Sequence, residues 1–121
     1  MRKNAEFLEC KAFFKWASYH PVCAEYLIKH VNEGKRSAIL GRLLKLIGLR
    51  PGLPDYQLPI ANKNWKGLWL EMKTKEHDAR DNRSNQDEWL ARLRKINHYA
   101  CYAYGWEHAA KIVTDYLADR I

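Results

Sequence analysis

The chain has 121 residues, and its 21 Lys and Arg against 14 Asp and Glu give a formal net charge of +7 at pH 7. This length fits one domain spanning residues 1–121. The 47% hydrophobic and 12% aromatic residues are enough to form a core. Together with the length, this composition argues against both intrinsic disorder and a two-domain enzyme. The sequence has no apolar run of transmembrane length and no apolar signal segment at its start. We therefore expect a cytoplasmic protein.

The positive excess favours a polyanionic partner, either nucleic acid or an anionic membrane surface. Membrane-surface binding needs a basic amphipathic helix with large apolar residues beyond those that a core would use, and the sequence shows none. Nucleic acid is therefore the preferred partner.

The cysteines and histidines do not form a recognisable site. Cys10, Cys23 and Cys101 are widely separated, which favours inert buried thiols over a disulfide framework or a four-ligand zinc site. The histidines lack the i, i+4 pairing of a zinc-binding helix.

The predicted elements begin with an amphipathic helix over residues 5–17, with Asn4 as its N-cap. Its apolar stripe, at helical spacing, consists of Phe7, Cys10, Phe13 or Phe14, and Ala17. β-Branched and aromatic residues over 22–31 then predict a strand, which is followed by a turn at 32–34. Residues 37–47 carry an apolar stripe at helical spacing, and Gly48 ends this helix.

The second half of the chain begins with two short strands over 55–59 and 67–74, which a polar connector joins. A helix over 86–96 with Ser84 as its cap, a strand over 99–104 and a helix over 107–117 follow. Alternating helices and strands in this order predict an α/β or α+β domain in which helices flank a central mixed β-sheet.

Charged side chains converge on the two strands in the middle of the chain. On the second strand Glu71 and Lys73 share one face, and the opposite face is apolar. Asp55 opens the preceding strand, so a hairpin would bring the two carboxylates together. Pro-Asp alone is a common turn dipeptide, and Glu-x-Lys alone is often a solvated ion pair. Together they make a place for a hard divalent cation such as Mg²⁺.

At these residues the chain resembles the PD-(D/E)xK nuclease superfamily and, within it, the virus-type replication-repair nuclease (VRR-NUC) family. The similarity begins with a glutamate-bearing first helix and continues through a series of sequence blocks that occur in the same order as in the family. These blocks are NEGKRS at 32–37, LKLIGLRPGLPD at 44–55, GLWLEMK at 67–73, SNQDEWL at 84–90 and YGWEHA at 104–109.

The resemblance implies a restriction-endonuclease-like fold and an endodeoxyribonuclease that uses Mg²⁺, for which Mn²⁺ substitutes. It implies that Asp55 and Glu71 bind the metal with help from the Met72 backbone carbonyl. It gives Lys73 the part of the catalytic lysine, and Gln86 supports the site or touches the substrate.

A glutamate of the first helix is also implied as a metal-linked group. Glu6 and Glu9 lie three residues apart, so both fall on one helix face and both remain candidates. We prefer Glu6.

The partner implied by the resemblance is DNA, with branched forms such as four-way (Holliday) junctions preferred. Stand-alone members of the family typically come from phages or bacteria and act as homodimers. The candidate phosphate contacts are basic residues in the turn, the connector and the loop after Lys73, namely Lys35, Arg36, Lys63, Lys66, Lys75, Arg80 and Arg83. The alternative is a non-catalytic DNA-binding module, against which the retained Asp55, Glu71 and Lys73 argue.

Overall fold

The computed structural model of the chain describes residues 2–31, 37–76 and 83–121. The predicted turn at 32–34 therefore lies outside the described residues. In chain order the described elements are α1 (Arg2–Ser18), α2 (Cys23–Tyr26), β1 (Ile28–Lys29), α3 (Ala38–Leu46), β2 (Tyr56–Leu58), β3 (Leu68–Lys73), α4 (Ser84–Lys95), β4 (Tyr99–Tyr104) and α5 (Trp106–Leu117).

The strands form a mixed sheet in the order β1-β2-β3-β4. β1 and β2 pair antiparallel, and so do β2 and β3, which confirms the predicted hairpin. β3 and β4 pair parallel, with Glu71 opposite Tyr102 and Lys73 opposite Tyr104. The parallel step requires a crossover, which α4 supplies.

Helices cover both faces of the sheet. Because side chains alternate along β3, Leu70 and Met72 pack in the core that α1 and α5 form on one face. Trp69 packs on the other face against Leu90 and Leu93 of α4. Every residue of β3 is buried, so the strand that carries Glu71 and Lys73 lies at the centre of the molecule.

The first helix starts earlier than predicted, and its predicted apolar stripe faces the core except at its first residue. It begins at Arg2, so Asn4 lies within the helix and is not its N-cap. Phe13 and Ala17 are buried, whereas Phe7, assigned to the apolar stripe by its spacing, is 65% exposed. The half-buried residues at 6, 9, 10 and 16 define the inward face with Phe13 and Ala17.

The strand predicted over 22–31 is wrong for most of its length. The His20 ring accepts hydrogen bonds from the backbone N–H groups of Val22 and Cys23, at 3.1 and 3.3 Å from Nδ1. These contacts start the helical turn α2 and override the β propensity of the segment. Extended pairing survives only at Ile28 and Lys29.

The third helix agrees with its prediction, and its apolar side remains exposed. Ser37 is the N-cap, since its hydroxyl accepts from the Leu40 N–H at 3.1 Å. No residue of α3 is buried. Its exposed apolar residues, with Ile47 beyond its end, are Ile39, Leu40, Leu43, Leu46 and Ile47.

Gly52 lets the loop before β2 approach the start of α4. Its φ of +86° is a left-handed conformation, and a Cβ there would lie 2.6 Å from the backbone carbonyl carbon of Asn85. The loop thereby brings Asp55 and Gln86 to the same end of the sheet.

Gly52→Ala should therefore lower the free energy of unfolding by about 3 kcal/mol, through the strained φ and the clash with Asn85. Gly48→Ala is the matched control, because Gly48 also has a positive φ but a Cβ there would meet nothing within 4 Å. This control should lose about 1 kcal/mol in urea unfolding. Equal losses in the two variants would contradict the close approach at Gly52.

Candidate active site

Asp55 directly precedes β2, at the point where the pairing of β2 with β3 stops and β3 continues. The Met72 backbone N–H donates to Asp55 Oδ2 at 2.7 Å, so the carboxylate replaces the missing strand as a partner of β3. The other oxygen, Oδ1, lies 3.1 Å from Lys29 Nζ on β1. Two neighbouring strands therefore fix the carboxylate, which is 15% exposed.

The Met72 carbonyl points toward the same side as Asp55. The Lys73 carbonyl accepts from the Gly105 N–H at 2.8 Å, which places it on the β4 side of the strand. Alternate residues of a strand direct their backbone groups to opposite sides, so Met72 directs both its N–H and its C=O away from β4. Asp55 and the Met72 carbonyl are thus oxygen groups at one edge of β3.

Glu71 is 2% exposed and lies on the face that α4 covers. Gln86, in the first turn of α4, donates from Nε2 to Glu71 Oε2 at 3.0 Å. A buried carboxylate needs hydrogen bonds to offset its lost hydration, and this bond also fixes its orientation. The structure therefore brings together three residues predicted from the sequence, Asp55, Glu71 and Gln86.

Lys73 is 5% exposed and contacts an aromatic ring on the neighbouring strand. Its Nζ lies 5.8 Å from the centroid of the Tyr102 ring, within the range of a cation–π contact. Tyr102 sits opposite Glu71 in the parallel register, so the ring lies beside both charged residues of β3.

Tyr102 also joins Lys73 to a second cation, Arg83. The Arg83 guanidinium lies 4.7 Å from the Tyr102 ring centroid and donates to the Tyr104 hydroxyl at 3.3 Å. The Tyr102 hydroxyl donates to Asp87 of α4. Burial, followed by this hydrogen bond, raises the pKa of Tyr102, so the phenol stays neutral. Arg83, predicted as a DNA contact, thus lies against β4, the strand next to β3.

Both candidate glutamates of α1 are half-buried on its inward face. Glu9 Oε1 accepts from the Trp106 backbone N–H at 2.8 Å and so holds the first turn of α5. Because Glu9 has this structural use, the preference for Glu6 as the metal-linked group is kept as a prediction.

The predicted DNA contacts fall at different ends of the sheet. Lys75 follows β3 directly, and its Nζ lies 2.6 Å from Glu107 Oε1. The hydrogen bond to Glu107 raises the pKa of Lys75. Lys63 and Lys66 precede β3, so the length of the strand separates them from Glu71 and Lys73. Lys35, Arg36 and Arg80 lie outside the described residues.

The thiols have the character of core groups. Burial raises the pKa of each of Cys10, Cys23 and Cys101 to about 11. At neutral pH such thiols are protonated and weak nucleophiles.

Two residues of the site were missed in the sequence, Lys29 and Tyr102. Lys29 lies in a segment predicted as a strand, but the pairing of that strand with Asp55 depends on long-range contacts. Tyr102 lies in a correctly predicted strand, and the parallel register beside Glu71 could have identified it once the sheet order was known.

The oxygen groups fit a hydrated divalent cation. Over residues 2–31, 37–76 and 83–121, no three His, Cys, Asp or Glu side chains form a metal-binding group. Asp55, Glu71 and the Met72 carbonyl nevertheless supply two carboxylates and one carbonyl at one end of β3. Mg²⁺ typically uses one or two carboxylates and keeps several waters, so this donor set suits it.

The fold of the chain is similar to a solved structure described as a VRR_NUC domain protein. The two match with a TM-score of 0.77 and 20% sequence identity, over 94% of this chain and 88% of that chain. No protein-family profile and no curated protein matches the chain. At this identity the likeness establishes the fold, and it confirms the predicted restriction-endonuclease-like arrangement of a mixed sheet flanked by helices. It also agrees with the family that the sequence resembles.

Glu9→Ala should lower the free energy of unfolding by about 1–2 kcal/mol, because it removes the acceptor of a half-buried N–H at the start of α5. Glu9→Gln keeps an acceptor oxygen and should lose much less in the same urea titration. If the two variants lose the same free energy of unfolding, the stabilisation comes from the charge of Glu9 and not from its hydrogen bond to Trp106.

Proposed function

We propose that this protein is a VRR-NUC nuclease that hydrolyses DNA phosphodiester bonds with Mg²⁺. The observation that carries the proposal is the meeting of Asp55 with the Glu71-Met72-Lys73 segment, in which the glutamate and the lysine are buried on the central strand. Buried charges are costly and are retained chiefly where they pair or perform chemistry. A fold similar to that of a VRR_NUC domain protein adds support.

The residues divide the work of a one-step hydrolysis. Asp55, Glu71 and the Met72 carbonyl would hold Mg²⁺, and Gln86 keeps Glu71 oriented. When bound, the ion supplies Lewis-acid polarisation of the phosphate and a water of lowered pKa. Lys73 orients the attacking water and offsets the charge that develops on the phosphorus centre. No covalent intermediate is required, which suits a chain whose thiols have raised pKa values.

The alternative is a DNA-binding module that keeps this fold without cleavage. Such a module gains nothing from a lysine and a glutamate buried beside each other on β3. Exposed basic residues would serve it better, since phosphate contacts depend on charge at the surface.

We further propose that the protein acts as a homodimer on branched DNA. One chain has one active centre, so paired cuts in a four-way junction need a second copy. The exposed apolar side of α3 supports this, because Leu40 and Leu43 are 46% and 53% exposed on adjacent turns. A two-fold contact between α3 helices would cover the same patch on both chains.

No helix among the described residues is long and apolar enough to cross a membrane. We propose that the partner of the chain is DNA. We also propose that the protein acts in the cytoplasm of a bacterial or phage-infected cell.

Lys73→Ala should reduce Mg²⁺-dependent cleavage by at least about 100-fold, because it removes a charge that acts on the transition state. DNA affinity measured in Ca²⁺ should stay within about twofold. Lys73→Met preserves more of the buried volume and tests whether a loss reflects misfolding. Lys95→Ala, in the last turn of α4 and at the opposite end of that helix from Gln86, is the matched control and should cleave normally. Full cleavage by both Lys73 variants would refute the site.

Labelled four-way junctions, flaps and linear duplex should be compared with Mg²⁺, using the wild-type protein and Leu43→Glu. The wild type should be a dimer by light scattering and should cut both strands of the junction preferentially. Leu43→Glu should be a monomer that makes single nicks, while Arg42→Glu on the polar side of α3 stays dimeric. Equal cutting of the three substrates would contradict the branched preference, and a dimeric Leu43→Glu would contradict the α3 interface.

A further inference from the structure

We propose that Lys29 is a built-in counterion of Asp55, which competes with the divalent cation for this carboxylate and contributes its charge to DNA binding. The inference rests on the proposed function. It begins from the contact of Lys29 Nζ with Asp55 Oδ1 at 3.1 Å, across the pairing of β1 with β2.

The sheet delivers Lys29 to this place. Lys29 is directly opposite Tyr56 in the antiparallel register, and the His30 N–H donates to the Asp55 carbonyl at 2.8 Å. The Lys29 ammonium also lies 5.0 Å from the Tyr56 ring centroid, a cation–π contact. Tyr56 itself is 3% exposed, and its ring meets Phe13 edge-on at 5.0 Å. The buried Tyr56 ring therefore packs against the Lys29 side chain and holds it beside the Asp55 carboxylate.

Lys29 and a bound cation would compete for the same oxygen of Asp55, because the other oxygen is already hydrogen-bonded. Oδ2 accepts from the Met72 N–H at 2.7 Å, which leaves Oδ1 as the less committed oxygen. Lys29 lies on this oxygen. A cation bound there would meet an ammonium within a few ångströms, and like charges at that separation repel.

The exposure of the pair sets the size of the effect. The Lys29 side chain is 41% exposed and can move outward, while Asp55 is 15% exposed and held by the backbone. Solvent screening makes such a pair modest, so removing the lysine charge should tighten cation binding by about fivefold.

The second effect has the opposite sign. Lys29 stays attached to β1 when it leaves Oδ1, so its ammonium remains beside the carboxylate where a scissile phosphate would approach. Removing one lysine that binds a phosphate reduces the salt slope of DNA binding by about 1. Lys29→Gln should thus bind the cation more tightly and DNA more weakly, whereas mere structural damage would weaken both.

The test is a calorimetric Mn²⁺ titration of the full chain without DNA, followed by DNA affinity in Ca²⁺ at several salt concentrations. Lys29→Gln should bind Mn²⁺ about fivefold more tightly and should lose about one unit of salt slope. Lys95→Gln, in the last turn of α4, controls for net charge and should leave Mn²⁺ affinity unchanged. Urea unfolding checks that each variant is folded.

Asp55→Asn separates this inference from the proposed function. If Asp55→Asn weakens Mn²⁺ binding but Lys29→Gln binds Mn²⁺ no more tightly than wild type, the counterion role is overturned and the nuclease site stands. Lys29→Gln with unchanged DNA affinity overturns the phosphate contact. If wild type fails to bind Mn²⁺, or Asp55→Asn binds it equally well, the proposed metal site itself is wrong.

Discussion

The hydrogen bond from the Met72 N–H to Asp55 determines how the site is assembled. β2 pairs with β3 only as far as Tyr56, opposite Leu70, so beyond that point β3 would present an unpaired N–H in a buried position. An unpaired buried N–H costs about 1–3 kcal/mol. The Asp55 carboxylate satisfies it at 2.7 Å, and the same contact fixes a carboxylate beside Glu71. The contact that completes the backbone hydrogen bonding of β3 is therefore the same contact that positions Asp55.

The same strand carries two buried charged side chains, and each meets a different partner. Glu71 accepts from Gln86 on α4, and Lys73 lies against the Tyr102 ring on β4. The Gln86 amide and the Tyr102 ring offset part of the desolvation cost of these two charges. The crossover through α4 places Gln86 beside Glu71 and sets β4 in the register that puts Tyr102 opposite Glu71.

Much of this arrangement was predictable from local sequence. β3 and β4 carry apolar and aromatic residues typical of strands, and the alternation of side chains along β3 identifies the face on which Glu71 and Lys73 lie. The strand prediction for the segment around α2 was wrong because a side-chain contact from His20 stabilises a helical turn there. The β propensity of the segment does not account for such a contact. The salt bridge of Lys29 with Asp55 was beyond local reasoning, since 26 residues separate the two and only the sheet order brings them together. The outward side of α3 was equally hidden, because an apolar stripe looks the same whether it meets a core or solvent.

The sheet also changes the meaning of the net charge of +7. Lys29 and Lys75 both pair with carboxylates, Asp55 and Glu107 respectively. Their charges are therefore only partly available to an approaching phosphate. On the proposed function, a cation at Asp55 would release Lys29, so positive charge would increase where the DNA backbone must lie. In that proposal the net charge attracts the chain to a polyanion, and the local pairing makes tight phosphate contact depend on a cation at Asp55.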